Sequence, residues 1–281
     1  MKKKVAIQGI SGSYHAIAAT NYFAGEEIEI IGCDTFRDVI GEIRKDPGVI
    51  GVMAIENTIA GSLLQNHELI RQSGFYITGE YKLRITHTLS ALPGATIHEI
   101  EEVDSHPIAL MQCTEFLDTM PHIKIVEKED TAMSAQWIAD KRLEGHAAIC
   151  SRQAAEIFGL EILAEGIETN KRNFTRFLFI TDPWTADDIL RDTVKNKASL
   201  VFSLPHTVGS LSQILSVLSF YDMNLTKIQS LPIVGREWQY LFYINLTFND
   251  YTRYKQALDA VVPLTKDFKI LGEYAEGQQS V

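Results

Sequence analysis

The chain has 281 residues, 46% of them hydrophobic and 22% charged, which places it among folded globular proteins and outside the disordered class. Its 36 acidic residues against 26 basic ones leave a formal charge of −10, so it lacks the basic footprint of a generic nucleic-acid binder. No stretch reaches the roughly 18–20 apolar residues of a membrane span, and the apolar run behind Lys2-Lys3-Lys4 stops at Gln8-Gly9, too early for a signal peptide.

From the N-terminus, strands alternate with helices. Val5–Ile7 reads as a strand ending in Gly9-Ile-Ser-Gly-Ser13, followed by a helix through Ala16, Ala19 and Phe23. Ile28–Ile31 is a second strand, and Phe36, Val39, Ile40 and Ile43 have helical spacing. Val49–Ile55 runs into Glu56-Asn-Thr-Ile-Ala-Gly-Ser62 and a helix with Leu63, Leu64 and Leu69. Three similar junctions follow: Ile100–Val103 into Ser105-His-Pro107, Ile123–Val126 into Asp130-Thr131, and Ala147–Ile149 into Ser151, each with a helix behind it. Ser, Thr and Asp are favoured helix caps and Pro is favoured in a first turn, so the pattern predicts a doubly wound α/β architecture. Residues 182–196 are polar, contain Pro183, and read as a linker. From Lys197 the order strand, helix, strand, strand, helix, strand predicts a ferredoxin-like βαββαβ unit.

Cys33, Cys113 and Cys150 are odd in number and far apart, which suits buried thiols in a reducing, cytoplasmic setting better than disulfides. With no CxxC pair, no HExxH and scattered histidines, no metal is expected. Gly9-Ile-Ser-Gly12 matches neither a dinucleotide fingerprint nor a Walker A loop, so no nucleotide cofactor is expected either.

The strand-to-helix junctions are rich in small hydroxyl and amide residues: Ser11, Ser13, Asn57, Thr58, Ser62, Ser105, Thr131 and Ser151. In open α/β sheets such junctions gather at the carboxyl ends of strands, where helix N–H groups bind anions. A cleft for a small oxygen-rich anion is one reading; a set of ordinary capped helices is the other. Thr175 and Arg176 stand at the entry of the apolar strand Phe177–Ile180, where Arg176 suits either a substrate carboxylate or an ion pair with Glu165 or Glu168. His87 and His106 are candidates for proton transfer or for structural roles, and Glu56 for an acid or a turn residue. Trp238, Tyr240 and Phe242 alternate as on a strand that forms core or a dimer interface.

These residues carry a resemblance over nearly the whole chain. Residues 1–181 resemble the catalytic domain of the prephenate dehydratase family through Gly9-Ile-Ser-Gly-Ser-Tyr14, Ile55 to Ser62, Ser105-His-Pro107 with Ala109 and Gln112, Asp130-Thr-Ala132, and Asn173-Phe-Thr-Arg-Phe177. Residues 197–275 resemble its regulatory ACT domain through His206-Thr-Val-Gly-Ser-Leu211 and Leu225 to Pro232. The resemblance implies a two-lobed, periplasmic-binding-protein-like catalytic domain with its site in the cleft. It also implies conversion of prephenate to phenylpyruvate in phenylalanine biosynthesis, with no cofactor. By the same resemblance Thr175, Arg176 and Phe177 form the catalytic signature, with Thr175 the hydroxyl at the departing oxygen. Ser11, Ser13, Asn57, Thr58, Ser62, Ser105 and Thr131 would surround the substrate. Gly209, Leu211, Asn224 and Leu225 would hold L-phenylalanine as effector at the interface of a homo-dimer or tetramer. The chain departs from the family at Gln229 and Leu231, where Glu and Arg are usual, and at Ile108, where Gln is usual. A solute-binding protein or an ACT-bearing regulator explains the two parts less well, lacking an export signal and a DNA-reading element respectively. No chorismate-mutase-like helical segment lies within the 281 residues, so a monofunctional enzyme is expected.

Residues 197–281 hold seven basic and seven acidic residues, so the whole excess of negative charge falls on the part expected to bind a dianion. Capture by long-range attraction is thereby excluded, and local donors have to do the work.

Overall fold

The computed structural model describes residues 2–280. The chain opens with β1 (Lys3–Gln8), α1 (Tyr14–Tyr22), β2 (Ile28–Cys33), α2 (Phe36–Lys45), β3 (Ile50–Asn57), the two-residue β4 (Gly61–Ser62), α3 (Leu64–Ser73) and β5 (Tyr76–Arg84). Next come β6 (Thr88–Ala91), β7 (Glu102–Ser105), α4 (Pro107–Gln112), α5 (Thr114–Leu117), β8 (Lys124–Glu127), α6 (Thr131–Lys141), β9 (His146–Cys150), α7 (Arg152–Ile157) and β10 (Glu161–Glu165). The remainder is β11 (Phe174–Thr181), α8 (Pro183–Leu190), β12 (Lys197–Ser203), α9 (Ser210–Phe220), β13 (Asn224–Pro232), β14 (Tyr240–Thr247), α10 (Tyr251–Val261) and β15 (Lys266–Tyr274). Two compact units result. One runs to Leu63, resumes over Tyr81–Phe177 and takes up Gln279 and Ser280; the other combines Leu64–Glu80 with Leu178–Gln278.

The first unit is built on two sheets. In one, the order is β2-β1-β3-β11-β5 with β4 turned back on β3, and in the other it is β10-β6-β9-β7-β8. β1 lies parallel to β2 and to β3, and β7 lies parallel to β8 and to β9. Seven of the eight residues of β3, all but Glu56, are buried, as a parallel strand covered on both faces requires. In the second sheet the alternation of β9 divides its side chains between two layers. Ala147 and Ile149 pack with Leu110 and Leu117 on one face; Ala148 and Cys150 pack with Ala135, Ile138 and Ala154 on the other.

The loop after β1 is pinned to the start of α7. Gly12 has φ +87°, and a Cβ there would stand 2.8 Å from the Cα of Ala154, so only glycine fits both the backbone and the space. The Ser151 hydroxyl donates to the Gly12 carbonyl at 2.6 Å and accepts the Ala154 N–H at 2.9 Å. At the other end of the sequence, Ser280 adds to the rim of β5: its N–H donates to the Lys82 carbonyl and its hydroxyl accepts the Arg84 N–H.

In the second unit the sheet order β13-β14-β12-β15 is antiparallel throughout, with α9 and α10 in the βαββαβ connectivity expected from the sequence. Ala198, Leu200 and Phe202 of β12 share a core with Ile214 and Leu218 of α9 and with Leu258 of α10. On the other side of the sheet the Tyr243 hydroxyl reaches α3, donating to Glu68 at 2.6 Å. Lys197, almost wholly buried, pairs with buried Glu80 at 2.7 Å and with Glu276 at 3.2 Å.

The structure departs from the sequence reading in several places. Residues 182–196 are not an irregular linker throughout, because Asp182 caps α8 through the Trp184 N–H and Pro183 takes the first helical position. The segment Leu64–Glu80 belongs to the same compact unit as the C-terminal sheet. Trp238 lies before β14 rather than on it, with φ +57° and 74% exposure, so it does not alternate with Tyr240 and Phe242 and is not core.

Candidate active site

A cavity of about 380 Å³ opens within the first unit. It collects residues from the ends of β1, β3 and β11, from the starts of α1, α2 and α6, and from α4. Phe36, Ala54, Leu63, Ile85 and Phe177 supply an apolar surround, while Ser13, Asn57, Thr131 and Thr175 supply hydroxyl and amide groups.

Strand alternation decides which side chains of β11 reach it. Thr175 and Phe177 line the cavity, whereas Arg176 projects from the opposite face and its Nη1 stands 3.7 Å from Glu56 Oε2. The expected partners Glu165 and Glu168 are engaged elsewhere, Glu165 with Arg152 and Glu168 with the His87 N–H.

Other residues singled out by the sequence divide in the same way. Ser13 lines the cavity and caps α1 through the Ala16 N–H. Thr131 begins α6, whose first free N–H groups, those of Ala132 and Met133, are already taken by Asp130. Ser105 is fully buried and donates to the Ile149 carbonyl at 2.6 Å, a structural bond outside the cavity wall. Thr58 bridges the Arg172 carbonyl and the Phe174 N–H. Ser11 and Ser62 are not among the lining residues, and Ser62 pairs with Glu56 in the β3–β4 hairpin. The capped-helix reading therefore holds for Ser151, and a structural role holds for Ser105. Ser13, Asn57 and Thr131 line the cavity, and Ser13 is a helix cap as well.

Sequence reasoning left Tyr14, His15, Gln112 and Asn173 without roles, and the structure places all four at or beside the cavity. The Tyr14 hydroxyl is 2.7 Å from His87 Nδ1, and His87 Nε2 is 2.9 Å from Gln112 Oε1. Asn173 Nδ2 donates to the same Gln112 oxygen at 2.9 Å, and Asn57 Nδ2 donates to Asn173 Oδ1 at 2.8 Å and to Thr175 Oγ1 at 3.0 Å. Asn173 and Gln112 sit inside motifs the sequence already displayed, but their joint role depends on β11 and α4 meeting in space.

Among the described residues, no lysine or arginine lines this cavity, and Asp34, Glu129 and Asp130 do. The three lining histidines are driven toward the neutral form. Burial pushes His15 down to about 4, and its Nε2 accepts the Ala54 N–H. Burial likewise lowers His87, against upward pulls from Gln112 and Glu168, and lowers His106, whose Nδ1 accepts the Ile108 N–H at the start of α4. His106 is thereby left with its proton on Nε2, a neutral donor. Burial pushes the Tyr14 phenol far above its ordinary value, so it too remains an O–H donor. The donors on this wall are therefore uncharged N–H and O–H groups in an apolar surround. Ile108, the departure from the family pattern, is part of the wall.

Glu102, Asp104 and His146 bring ligand-type atoms within reach of one another outside the cavity. Lys124 and Lys128 already supply cations to the two carboxylates, at 2.7 and 3.5 Å.

The sequence and the gross architecture have counterparts among known proteins. Residues 5–184 match the family model described as prephenate dehydratase. The bifunctional chorismate mutase/prephenate dehydratase of Aquifex aeolicus is 34% identical over 276 residues, covering 97% of this chain and 74% of that protein. Arogenate dehydratase 5 of Arabidopsis thaliana is 33% identical over 290 residues, covering 96% of this chain and 67% of that protein. The crystal structure of prephenate dehydratase in complex with L-Phe from Arthrobacter aurescens superposes with a TM-score of 0.84 at 25% identity, covering 99% of this chain and 92% of that one. With the matched segment holding every residue of the cavity wall, this chain is a member of the prephenate dehydratase family.

Proposed function

We propose that the chain converts prephenate to phenylpyruvate, with Thr175 as the hydrogen-bond donor at the departing ring oxygen. The observation that carries this is the placement of Thr175 and Phe177 on the cavity wall beside Asn57, within the segment that matches the family. In the reaction the bond from the ring to its carboxylate breaks and its electron pair enters the ring. The ring C–O bond then releases hydroxide, which takes up a proton, and carbon dioxide and water leave behind an aromatic product. A threonine hydroxyl is a weak Brønsted acid, so its contribution is a fixed dipole where negative charge develops on oxygen. The apolar surround favours loss of the ring carboxylate as a neutral molecule. Ser13, Thr131 and the neutral His106 donor suit the remaining carboxylate. Arg176, paired toward Glu56, supports the strand that presents Thr175.

The second unit supports a regulatory reading. Its βαββαβ plan suits an ACT domain, here assigned to residues 197–275 with 1–181 as the catalytic domain and 182–196 between them. Leu211 lies in the first turn of α9 and Asn224 beyond its end, so one copy separates them by roughly the 16 Å rise of eleven helical residues. A phenylalanine held by Gly209, Leu211, Asn224 and Leu225 would thus use residues of two chains, in a homo-dimer or tetramer of a cytoplasmic enzyme. Buried free thiols at Cys33, Cys113 and Cys150 suit that compartment.

The test is an assay of the purified chain on prephenate, following phenylpyruvate, with arogenate offered in parallel and L-phenylalanine titrated. Product from prephenate, lost in Thr175→Ala with the fold retained, is the expected result. Wild-type turnover in that variant would remove Thr175 from the mechanism, and conversion of arogenate alone would reassign the substrate.

A further inference from the structure

Asn57 occupies a position in which its two amide atoms cannot be exchanged. Its Oδ1 accepts the backbone N–H groups of Ile59 and Ala60 at 2.9 and 2.8 Å. Its Nδ2 faces the backbone carbonyl of Phe174 at 3.2 Å as well as Asn173 Oδ1 and Thr175 Oγ1. Turning the amide over would set N–H against N–H twice and oxygen against a carbonyl once, at a side chain that is itself buried. The backbone alone therefore fixes Nδ2 toward Thr175.

We propose that Asn57 is a positioning residue that sets the polarity of Thr175. An amide nitrogen can only donate, and the two oxygens nearest to its two protons are Asn173 Oδ1 at 2.8 Å and Thr175 Oγ1 at 3.0 Å, with the Phe174 carbonyl farther off at 3.2 Å. Thr175 Oγ1 thus accepts from Asn57 and the threonine's single proton is released toward the cavity. This rests on the reading of Thr175 as the hydroxyl at the departing oxygen, and adds how that hydroxyl is made a donor rather than an acceptor. The same polarity runs outward through the buried side chains. Asn173 accepts at Oδ1 and so donates from Nδ2 to Gln112 Oε1, which also takes the Nε2 proton of His87. His87 is then left with Nδ1 as an acceptor facing the Tyr14 hydroxyl at 2.7 Å, whose one proton also faces the Thr86 carbonyl at 2.9 Å. Donors thus converge on Gln112 Oε1 from Asn173 on one side and from His87 on the other.

Asn57→Asp separates polarity from shape. The introduced carboxylate keeps an oxygen for the Ile59 and Ala60 N–H groups, but presents a second acceptor to Thr175 and draws its proton away from the cavity. The expected result is a loss in kcat of about 100-fold or more, the scale of removing one donor from an anion-stabilising site, together with a lowered melting temperature, because the new oxygen also faces the Phe174 carbonyl and Asn173 Oδ1. The loss should shrink as pH falls and the carboxylate takes up a proton it can donate, a rise absent from the wild-type profile once uncatalysed breakdown is subtracted. The added charge raises KM as well, so kcat is the readout. Wild-type kcat in this variant, or a loss flat with pH, overturns the proposal. Should Asn57→Asp fail to fold, neutron diffraction of the deuterated wild-type protein reads the same point. A deuteron on Thr175 aimed into the cavity supports the assignment, and one lying on the line to Asn57 refutes it. Thr175→Val separates the two levels: turnover in that variant removes the underlying reading. An inactive Thr175→Val beside a normal Asn57→Asp removes only the role of Asn57.

Discussion

Tyr243 and Glu68, 175 residues apart in sequence, share a 2.6 Å hydrogen bond in which the phenol donates to the carboxylate. The bond ties the middle strand pair of the C-terminal sheet to α3, the helix that directly follows the cavity residue Leu63. Glu68 also takes Arg71 and Gln72, and its carboxyl is held down to about 2, first by Arg71 and then by Tyr243 and Gln72. An unfolded glutamate titrates near roughly 4.3. The contribution is therefore complete above that value and lost as pH falls toward about 2, because the unfolded chain takes up the proton first. In urea unfolding, the advantage of wild type over Glu68→Gln should be largest at neutral pH and disappear near the acid end. A constant difference would mean that the charge of Glu68 is not what stabilises the contact.

Lys197 and Glu80 form a buried pair at 2.7 Å, their side chains 3% and 0% exposed. Removing one member strands the other, so Lys197→Met should destabilise by about 3–5 kcal/mol. Replacing both residues with apolar ones should recover much of that loss, since the double change leaves no uncompensated charge. Denaturant midpoints of the single and double variants provide the check.

His15 accepts the Ala54 N–H and packs edge-on against Phe177, with ring centroids 5.0 Å apart. Its folded value of about 4 lies below that of an unfolded histidine, near 6.5. The unfolded state thus binds the proton first, and stability should fall as pH drops from about 6.5 toward 4. His15→Gln removes that titration while keeping a hydrogen-bonding side chain. The melting temperatures of the two proteins should converge with acidification. Parallel curves would contradict a buried neutral imidazole.

Gly12→Ala should destabilise the first unit by about 1–3 kcal/mol, combining overpacking against Ala154 with a backbone at positive φ. Amide exchange should quicken at Ala154, whose N–H is held by Ser151. Unchanged exchange there would show that the loop accommodates the methyl group without moving α7.

Much of this was legible in the chain. Apolar runs ending in capped junctions disclosed the parallel strands of the first unit, and the βαββαβ order of the second was plain. β5 was not legible, because Gly79, Glu80 and Lys82 interrupt its apolar pattern, and Glu80 belongs in the interior only because Lys197 meets it. β6 was hidden for a similar reason, since Thr88 and Ser90 are fully buried yet bond to one another at 2.9 Å. Pro183 was read as a break when it opens α8. At the site, residue types announced Thr175 and Asn57. The facing of Arg176 needed the strand's register, and the partnership of Gln112 with His87 and Asn173 needed two elements brought together.

The absence of lysine and arginine from the cavity wall among the described residues has a consequence for how the protein meets its surroundings. Neutral donors act only at contact and are barely screened, whereas the chain's net charge of −10 repels a dianion over distances that dissolved ions shorten. Added salt should then raise the association rate and lower KM, opposite to an enzyme that steers anions with a ring of cations. Stopped-flow rates across a range of sodium chloride concentrations would read the sign directly.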